Sequence, residues 1–355
     1  MEFLSQYGLF LAQAVTIVIS IGLIILLIAA ASQRHRGESS GHIEVHKLND
    51  RYKELRETLR DATLDPAMRK ESLKAEKKAE KKKAKEESKA AKKQIKAGSE
   101  ASAEKPRLYV LDFDGDIRAS AVEQLREEVS TLLGELRDTD EVLLRLESGG
   151  GMVHSYGLAS SQLQRIRAKG VKLTVAVDKV AASGGYMMAC VANEIIAAPF
   201  AIIGSIGVVA QLPNFHRVLK KNDIDVEILT AGEYKRTLTV FGENTDKGRE
   251  KFKEELEDTH VLFKQFVKEN REVVEIDSVA TGETWYGQRA KDVNLVDAIQ
   301  TSDEYIQDKL ESHGVFELTY VPRKNWQQKL GIAAENALER SFLKLWQASL
   351  TRPKQ

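Results

Sequence analysis

One serine in this sequence lies among small residues in the way that a nucleophile does. Ser183 follows Ala181 and Ala182 and precedes Gly184 and Gly185, between a strand-like apolar run and a helix-like one. A serine on such a strand-to-helix turn exposes its hydroxyl, and the next backbone N–H can stabilise an oxyanion. A helix N-cap is the alternative, because serine is common at helix starts. Spacing alone leaves both interpretations open.

Two further glycine turns and one lysine could complete such a site. The run Ser148-Gly149-Gly150-Gly151 follows a predicted strand, where glycine N–H groups suit an oxyanion hole or a phosphate nest. A plain tight turn would explain these glycines equally well. Ser205 lies in a third turn, Gly204-Ser205-Ile206-Gly207, and Lys235 follows in a polar segment. A neutral lysine can take a proton from serine, and an apolar pocket favours the neutral form.

Other chemistry-bearing residues form no competing pattern. None of the seven histidines lies in a triad or metal motif, and His154 is interpreted as an ordinary helix-start residue. Asp112-x-Asp114-Gly115-Asp116 does not follow the order of a calcium loop, so it indicates a polar strand end. The single cysteine, Cys190, excludes an intrachain disulfide and is predicted to be a small buried residue. We expect no metal and no cofactor.

Strand and helix patterns alternate around these residues. Strands are predicted at residues 108–113, 141–146, 171–177, 194–198, 202–209 and 225–229. Helices are predicted at residues 122–136, 153–166, 246–270 and 302–310, and one is predicted to begin at Ser183. This alternation predicts an α/β fold with right-handed crossovers and a mostly parallel sheet. The apolar stretch 181–209 is predicted to be buried core, because it contains several glycines, Asn193, Glu194 and Pro199.

The N-terminus has the composition of a membrane anchor. Residues 8–31 carry no charge, and about 24 helical residues at about 1.5 Å each reach roughly 36 Å, enough to cross a bilayer. A cleaved signal peptide is the alternative, since three alanines at 29–31 could precede a cut. Against it, Glu2 is the only charged side chain before the apolar run. We predict a retained single-pass anchor over residues 1–33.

The rest of the chain divides by charge. Residues 34–105 are rich in Lys and Arg and are predicted to form a solvated helical stalk and linker. The lysines at 74–96 could bind anionic lipid or nucleic acid. No aromatic residue interleaves them, so a spacer is favoured and no nucleic-acid partner is expected. Residues 106–329 are predicted to be the catalytic domain, and 330–355 an amphipathic tail.

Four segments together resemble the signal peptide peptidase A and SohB family of Ser–Lys dyad serine peptidases. They are residues 146–154, 182–186, 203–208 and 232–235, and they occur in the family's order together with the anchor and stalk. The resemblance implies that Ser183 is the nucleophile and Lys235 the general base. It implies an oxyanion hole from Gly184 and a glycine of the first turn. Ser205 would hydrogen-bond the lysine.

The first glycine turn departs from the family in one respect. Gly150 and Gly151 are the candidates for the second oxyanion donor, and Gly149 stands where the family usually has proline. Losing that proline loosens the turn in the unfolded chain.

The same resemblance implies the wider setting. The fold would be the Clp-protease/crotonase superfold, a stack of ββα units that assembles into homo-oligomeric rings. The partners would be peptide or protein substrates, including membrane or exported proteins and signal-peptide remnants, together with membrane lipid. Whether one chain holds both dyad residues is left open. A crotonase-like acyl-CoA enzyme and a non-catalytic membrane scaffold are the alternatives.

The expected location is the bacterial inner membrane. The family resemblance favours a catalytic domain in the periplasm. Arg34, Arg36, Lys47 and Arg51 follow the apolar run closely, so the positive-inside rule favours the cytoplasm. The periplasm is the expectation retained here.

Overall fold

The structure is a computed structural model that describes residues 41–65 and 105–322, with a few isolated positions elsewhere. The predicted anchor at 1–33 and tail at 330–355 lie outside the described residues, apart from one isolated position in the anchor, as does most of 66–104. Within the described part, none of the helices combines the length and the apolar character needed to span a membrane.

Strands and helices alternate along the described chain. The strands are β1 His42–Lys47, β2 Arg107–Gly115, β3 Glu141–Ser148, β4 Lys172–Val177, β5 Val180–Ala182, β6 Glu194–Ala197, β7 Ile202–Gly204, β8 Thr284–Tyr286, β9 Ala298–Ile299 and β10 Gly314–Val321. The helices are α1 Leu48–Thr63, α2 Val122–Glu135, α3 Val153–Ala168, α4 Gly184–Ala189, α5 His216–Lys221, α6 Asp246–Asn270, α7 Ile276–Val279, α8 Gly287–Asp292 and α9 Ser302–Lys309.

These strands form one forked sheet. Its main path runs β1-β10-β2-β3-β4-β6-β9, and a branch leaves β3 through β5 and β7 to β8. The pairs from β10 to β9 along the main path are parallel, as are β3 with β5 and β5 with β7. β7 and β8 are antiparallel. The prediction of a mostly parallel α/β sheet is therefore confirmed.

Apolar side chains cover both faces of the sheet. On β2, Leu111 and Phe113 face a large core that also contains Val129 of α2 and Leu163 of α3. Leu108 and Val110 face a smaller core, which includes Leu48 of α1 and Tyr305 and Ile306 of α9. A strand buried on both faces reads as a near-continuous apolar run rather than an alternating one. This is why β2 to β4 are recognisable in the sequence.

The N-terminal boundary of this unit differs from the prediction. Residues 42–63 were expected to belong to a solvated stalk, but β1 joins the sheet and Leu48 is buried. Asn49 Nδ2 donates to the carbonyls of Leu310 and His313, and its Oδ1 accepts from the Val315 N–H at 2.8 Å. The compact unit spans Ile43–Tyr320, so the boundary predicted at residue 106 is too late.

One predicted strand is wrong and another is too long. Residues 225–229 form no strand in the described chain, and the strand predicted at 202–209 ends at Gly204. The alternating pattern at 225–229 is suited to a sheet, but no described strand lies beside it, and Leu229 is 91% exposed. Strand propensity yields a strand only where a partner supplies backbone hydrogen bonds.

Candidate active site

The three glycine turns predicted from the sequence lie side by side at the carboxyl ends of β3, β5 and β7. Ser148 of β3 pairs with Ala181 of β5, and Ala182 pairs with Gly204 of β7. Adjacent strands are about 4.8 Å apart. Residues immediately after these pairs, including Ser183 and Ser205, are therefore neighbours in space, although 57 positions separate Ser148 from Ser205 in the sequence.

Ser183 has the backbone of a strained strand-to-helix turn. Its φ is 52° and its ψ is −117°, a region that residues with a side chain seldom occupy. The Ser183 N–H donates to the Gly204 carbonyl at 2.8 Å, and its carbonyl accepts from the Met187 N–H at 2.9 Å. The side chain precedes α4 but makes no capping hydrogen bond. The N-cap interpretation therefore fails, and the hydroxyl is not engaged by the helix.

Gly150 lies directly against Ser183. Its φ is +87°, and a Cβ at this position would lie 2.7 Å from the Ser183 Cβ, the Gly184 nitrogen and the Ala182 oxygen. Only glycine fits this backbone and this space. Its N–H donates to Ser148 Oγ at 3.0 Å. Gly150 therefore lets the turn approach the serine, while its own N–H is engaged elsewhere.

Two N–H groups beside Ser183 have no hydrogen-bond acceptor within the described chain. Gly184 begins α4, so its N–H has no partner within the helix. Gly151 follows Gly150 in the turn, and its N–H makes no backbone or side-chain hydrogen bond to the residues described. Both groups line the same small pocket as Ser183. Two such donors could stabilise a developing oxyanion.

The pocket at Ser183 is small and largely apolar. Besides the serine and three glycines, it is lined by Val153, Met187, Val208, Thr259 and Phe263. Phe263 is 5% exposed and closes one side, together with Thr259 from the same helix, α6. Sequence reasoning identified α6 at its observed bounds but gave it no role in the site. Its helical periodicity alone does not show which turn approaches a site about 80 residues earlier in the chain.

Ser205 occupies a turn similar to that of Ser183. Its φ is 50°, and its N–H donates to the Glu283 carbonyl at 2.7 Å. Because Gly204 pairs with Ala182, Ser205 lies one strand away from Ser183 at the same level of the sheet. The structure thus brings Ser205 to the predicted site.

Lys235 is not brought to that site within one chain. It is exposed, it does not line the Ser183 pocket, and no hydrogen bond joins it to Ser183 or Ser205 among the residues described. Its N–H donates to the Gly232 carbonyl at 3.2 Å. It lies within residues 208–245, hereafter the 208–245 segment, which contains only the short helix α5.

The structure also shows the surroundings of the cysteine, aspartate and histidine residues to which the sequence assigns no catalytic role. Cys190 is fully buried, and burial raises the pKa of its thiol to about 12. Asp112 pairs with Arg145 at 2.5 Å, and Asp116 accepts from the Ser120 N–H at 2.8 Å. His154 is exposed in the first turn of α3. No group of His, Cys, Asp and Glu with metal-binding geometry occurs in the part of the chain that is described.

Comparison with known proteins gives matches along nearly the whole chain. Residues 2–163 match the family model "Peptidase family S49 N-terminal", and residues 165–315 match "Peptidase family S49". A protein named "Probable protease SohB" from Haemophilus influenzae is 52% identical over 336 residues, which cover 95% of this chain and 94% of that one. Its namesake from Buchnera aphidicola subsp. Schlechtendalia chinensis is 49% identical over 306 residues, covering 86% and 99%.

Similarity to solved structures is weak. A mutant of the 1510-N membrane-bound stomatin-specific protease, solved with a substrate peptide, aligns with a TM-score of 0.40 and 13% identity. The alignment covers 64% of this chain and 96% of that one. A similarity at this level supports no statement about the site.

Proposed function

The chain belongs to peptidase family S49 and is a serine peptidase, and on this premise we propose that Ser183 is its nucleophile and Lys235 its general base. The backbone of Ser183 is the observation that carries the proposal. A φ of 52° on a serine that caps no helix is costly, and residues strained in this way cluster at active sites. The two unengaged N–H groups of Gly151 and Gly184 lie beside it.

The proposed reaction is acyl transfer in two steps. Ser183 Oγ attacks the scissile carbonyl while its proton passes to the neutral Nζ of Lys235. The N–H groups of Gly151 and Gly184 donate to the oxyanion that forms. The intermediate collapses as the leaving amine takes the proton from Lys235, which leaves an ester on Ser183. Lys235 then deprotonates a water molecule, which attacks the ester. Lys235 returns that proton to Ser183 Oγ as the ester C–O bond breaks, which releases the new acid and restores the serine.

Ser205 has an orienting role in this proposal. It lies one strand from Ser183 and has a hydroxyl that can accept a hydrogen bond from a lysine or donate one to it. Gly150, in contrast, contributes space rather than a donor, because its N–H is bound to Ser148.

The base must arrive through assembly with another copy of the chain. A lysine acts as a base only where its surroundings exclude water and favour the neutral form, and Lys235 of a single chain is exposed. The 208–245 segment around it carries many exposed apolar side chains, among them Val209, Phe215, Val218, Ile224, Leu229 and Phe241. Packing such segments against neighbouring copies would bury this surface and bring Lys235 to a neighbour's Ser183. A homo-oligomeric ring provides this contact at every site.

The fold supports a ring-forming superfold of the Clp-protease/crotonase kind. The chain passes from β4 on the main path to β5 on the branch and into α4, then from β6 on the main path to β7 on the branch. Each strand pair is thus divided between the two arms of the sheet, as in a stack of ββα units.

The pocket at Ser183 favours a small apolar residue on the amino side of the cleaved bond. Its lining is apolar apart from Thr259 and the catalytic serine, and Met187 and Phe263 leave little depth.

Residues 1–33 would anchor the chain once in the bacterial inner membrane, with the peptidase unit in the periplasm. Membrane or exported proteins and signal-peptide remnants are then the substrates within reach.

Labelling with a fluorophosphonate probe tests the nucleophile. The wild-type oligomer and the control Ser161→Ala, which removes an exposed hydroxyl on α3, should both be labelled, with the adduct on Ser183 by mass spectrometry. Ser183→Ala should not be labelled and should not hydrolyse peptides. Undiminished hydrolysis by Ser183→Ala would overturn the assignment, and absence of labelling in all three would favour a non-catalytic scaffold.

Topology is tested by fusing alkaline phosphatase after Leu108. The phosphatase is active only in the periplasm, so strong activity supports the proposed orientation. An inactive fusion, with an active β-galactosidase fusion at the same point, would place the unit in the cytoplasm.

A further inference from the structure

A buried chain of hydrogen bonds ends on the glycine turn beside Ser183. The Gly150 N–H donates to Ser148 Oγ at 3.0 Å, Ser148 Oγ is 2.5 Å from the Tyr156 hydroxyl, and that hydroxyl donates to the Asp116 carbonyl at 2.7 Å. Ser148 is 2% exposed and Tyr156 is fully buried. These hydrogen bonds therefore link the turn to α3 and to the residue that follows β2.

The number of hydroxyl protons fixes the direction of donation along these hydrogen bonds. Each hydroxyl has a single proton to donate. Tyr156 donates to the Asp116 carbonyl at 2.7 Å, so the 2.5 Å contact between the two hydroxyl oxygens uses the proton of Ser148, for which the Gly115 carbonyl at 3.2 Å is a second, longer acceptor. The Ser148 oxygen is then left to accept from Gly150. Burial raises the pKa of Tyr156, which keeps its hydroxyl in the donating form.

The ring of Tyr156 supports the other side of the site. A Cβ on Gly184 would lie 2.4 Å from Tyr156 Cγ, so the ring lies against the backbone that follows the nucleophile. Ser148 makes a similar approach, since a Cβ on Gly185 would lie 2.5 Å from the Ser148 carbonyl oxygen. The Tyr156 ring and the Ser148 backbone carbonyl thus both lie against the backbone that follows Ser183.

We infer that Ser148 and Tyr156 are positioning residues of the oxyanion hole. Three successive glycines allow their peptide groups to rotate at little steric cost. Binding the Gly150 N–H to Ser148 selects one orientation of the turn, in which the Gly151 N–H stays available beside Ser183. The Tyr156 ring holds the Gly184 N–H in register with it. This inference rests on the proposed role of Ser183 and adds two residues that neither touch substrate nor move a proton.

Removing the Tyr156 hydroxyl tests the inference with little change in packing. Tyr156→Phe keeps the ring against Gly184 and removes the nearer acceptor of the Ser148 proton, which leaves the Gly115 carbonyl at 3.2 Å. Deleting an oxyanion donor outright costs about 10²–10³ in kcat, so a loosened turn should cost about tenfold, with KM changed by less than about twofold. Tyr305→Phe is the matched control, because it removes a buried tyrosine hydroxyl bound to Thr174 and Glu141 on the opposite face of the sheet. It should retain wild-type kcat.

A double-mutant cycle tests whether the two residues act as one unit. Ser148→Ala should lower kcat to a similar extent, and the double variant should be little worse than the worse single variant, since both break the same chain. Losses that multiply would overturn the coupling. Should one single variant fail to assemble, the other still carries the comparison with its control.

Inhibitor binding separates positioning from general destabilisation. The tripeptide aldehyde acetyl-Ala-Ala-alaninal adds to Ser183 and places an oxyanion in the hole, whereas the alcohol acetyl-Ala-Ala-alaninol only occupies the cleft. Tyr156→Phe should weaken the aldehyde about tenfold and leave the alcohol unchanged. Equal weakening of both, or wild-type kcat in both single variants, would overturn the inference while Ser183 stands. An inactive wild-type enzyme would instead count against the proposed function.

Discussion

Gly150 and Ser183 approach so closely that a Cβ on the glycine would lie 2.7 Å from the Cβ of the serine. Two turns from different strands thus form one surface, on which a substrate carbonyl can meet the hydroxyl and two N–H groups together. The contact also explains why position 150 requires glycine. In the proposed site this turn contributes backbone N–H groups rather than side chains.

Gly150→Ala should therefore inactivate the enzyme by more than about 10²-fold in kcat/KM. The methyl group collides with two backbone atoms and with the Ser183 Cβ, and the residue must keep a φ of +87°. Gly157→Ala is the matched control, because this glycine lies in α3 with open space around it. It should keep full activity and gain up to about 1 kcal/mol of stability from the helix. Peptide hydrolysis and thermal unfolding of both variants check the prediction, and an active Gly150→Ala enzyme would contradict the proposed site.

Phe263→Leu should broaden the choice of residue on the amino side of the cleaved bond. Phe263 closes the pocket at Ser183, and a smaller side chain leaves space for a longer substrate side chain. In a series of peptides with Ala, Val, Leu or Met at that position, relative kcat/KM for the longer residues should rise about tenfold, the scale of one or two methylenes. Phe266→Leu, on the same helix but outside the pocket, should keep the wild-type order. An unchanged order in Phe263→Leu would move the specificity pocket elsewhere.

The exposed position of Lys235 predicts that two inactive variants can complement each other in a mixed oligomer. Lys235→Arg and Lys235→Ala should each be inactive, since a guanidinium stays protonated and alanine has no base. Co-expressing Ser183→Ala with Lys235→Ala should restore part of the activity, because some sites would combine an intact serine with a neighbour's intact lysine. The measurement is peptide hydrolysis by hetero-oligomers purified through two different tags. If verified hetero-oligomers remain inactive, each dyad lies within one chain, and an active Lys235→Arg would exclude Lys235 as the base.

The burial of Glu128 predicts that the free energy of unfolding falls as pH rises. Its side chain is buried on α2, where one oxygen accepts from the Tyr320 N–H and from Gln124, while the other has no partner within the described chain. Burial raises the pKa of Glu128 from 4.5 to about 7. Between those values the folded chain holds a proton that the unfolded chain has released, so the free energy of unfolding decreases with pH across this window.

Glu128→Gln should remove that dependence. The variant should gain in Tm relative to the wild type as pH rises from 5 to 8, with a free-energy difference of at most about 3 kcal/mol. Glu127→Gln, at an exposed position on the same helix, is the control, and its difference from the wild type should not change with pH. Parallel Tm curves for Glu128→Gln and the wild type would show that Glu128 titrates normally.

Much of the local structure followed from the sequence itself. The apolar runs of β2, β3 and β4 are buried on both faces, and α6 has the bounds that its periodicity predicts. The three glycine turns were also visible, because glycine at a strand end reports a local backbone requirement. Patterns of this kind depend on neighbours within a few positions, so they can be recognised without knowledge of the fold.

Contacts between distant residues were decided by the tertiary structure alone. The Asn49 side chain is hydrogen-bonded to the Val315 N–H, which lies 266 positions later in the chain. This contact lies at the edge of the sheet, and the charged composition of the N-terminal segment does not indicate that the segment joins it. The segment 225–229 has a strand pattern but no partner strand among the residues that the structure describes. The turn at Ser148 brings the Gly150 N–H to a side chain rather than to the site, and α6 closes the pocket with Phe263. Pairing, burial and hydrogen-bond partners at such separations depend on how the whole sheet closes, which no local pattern encodes.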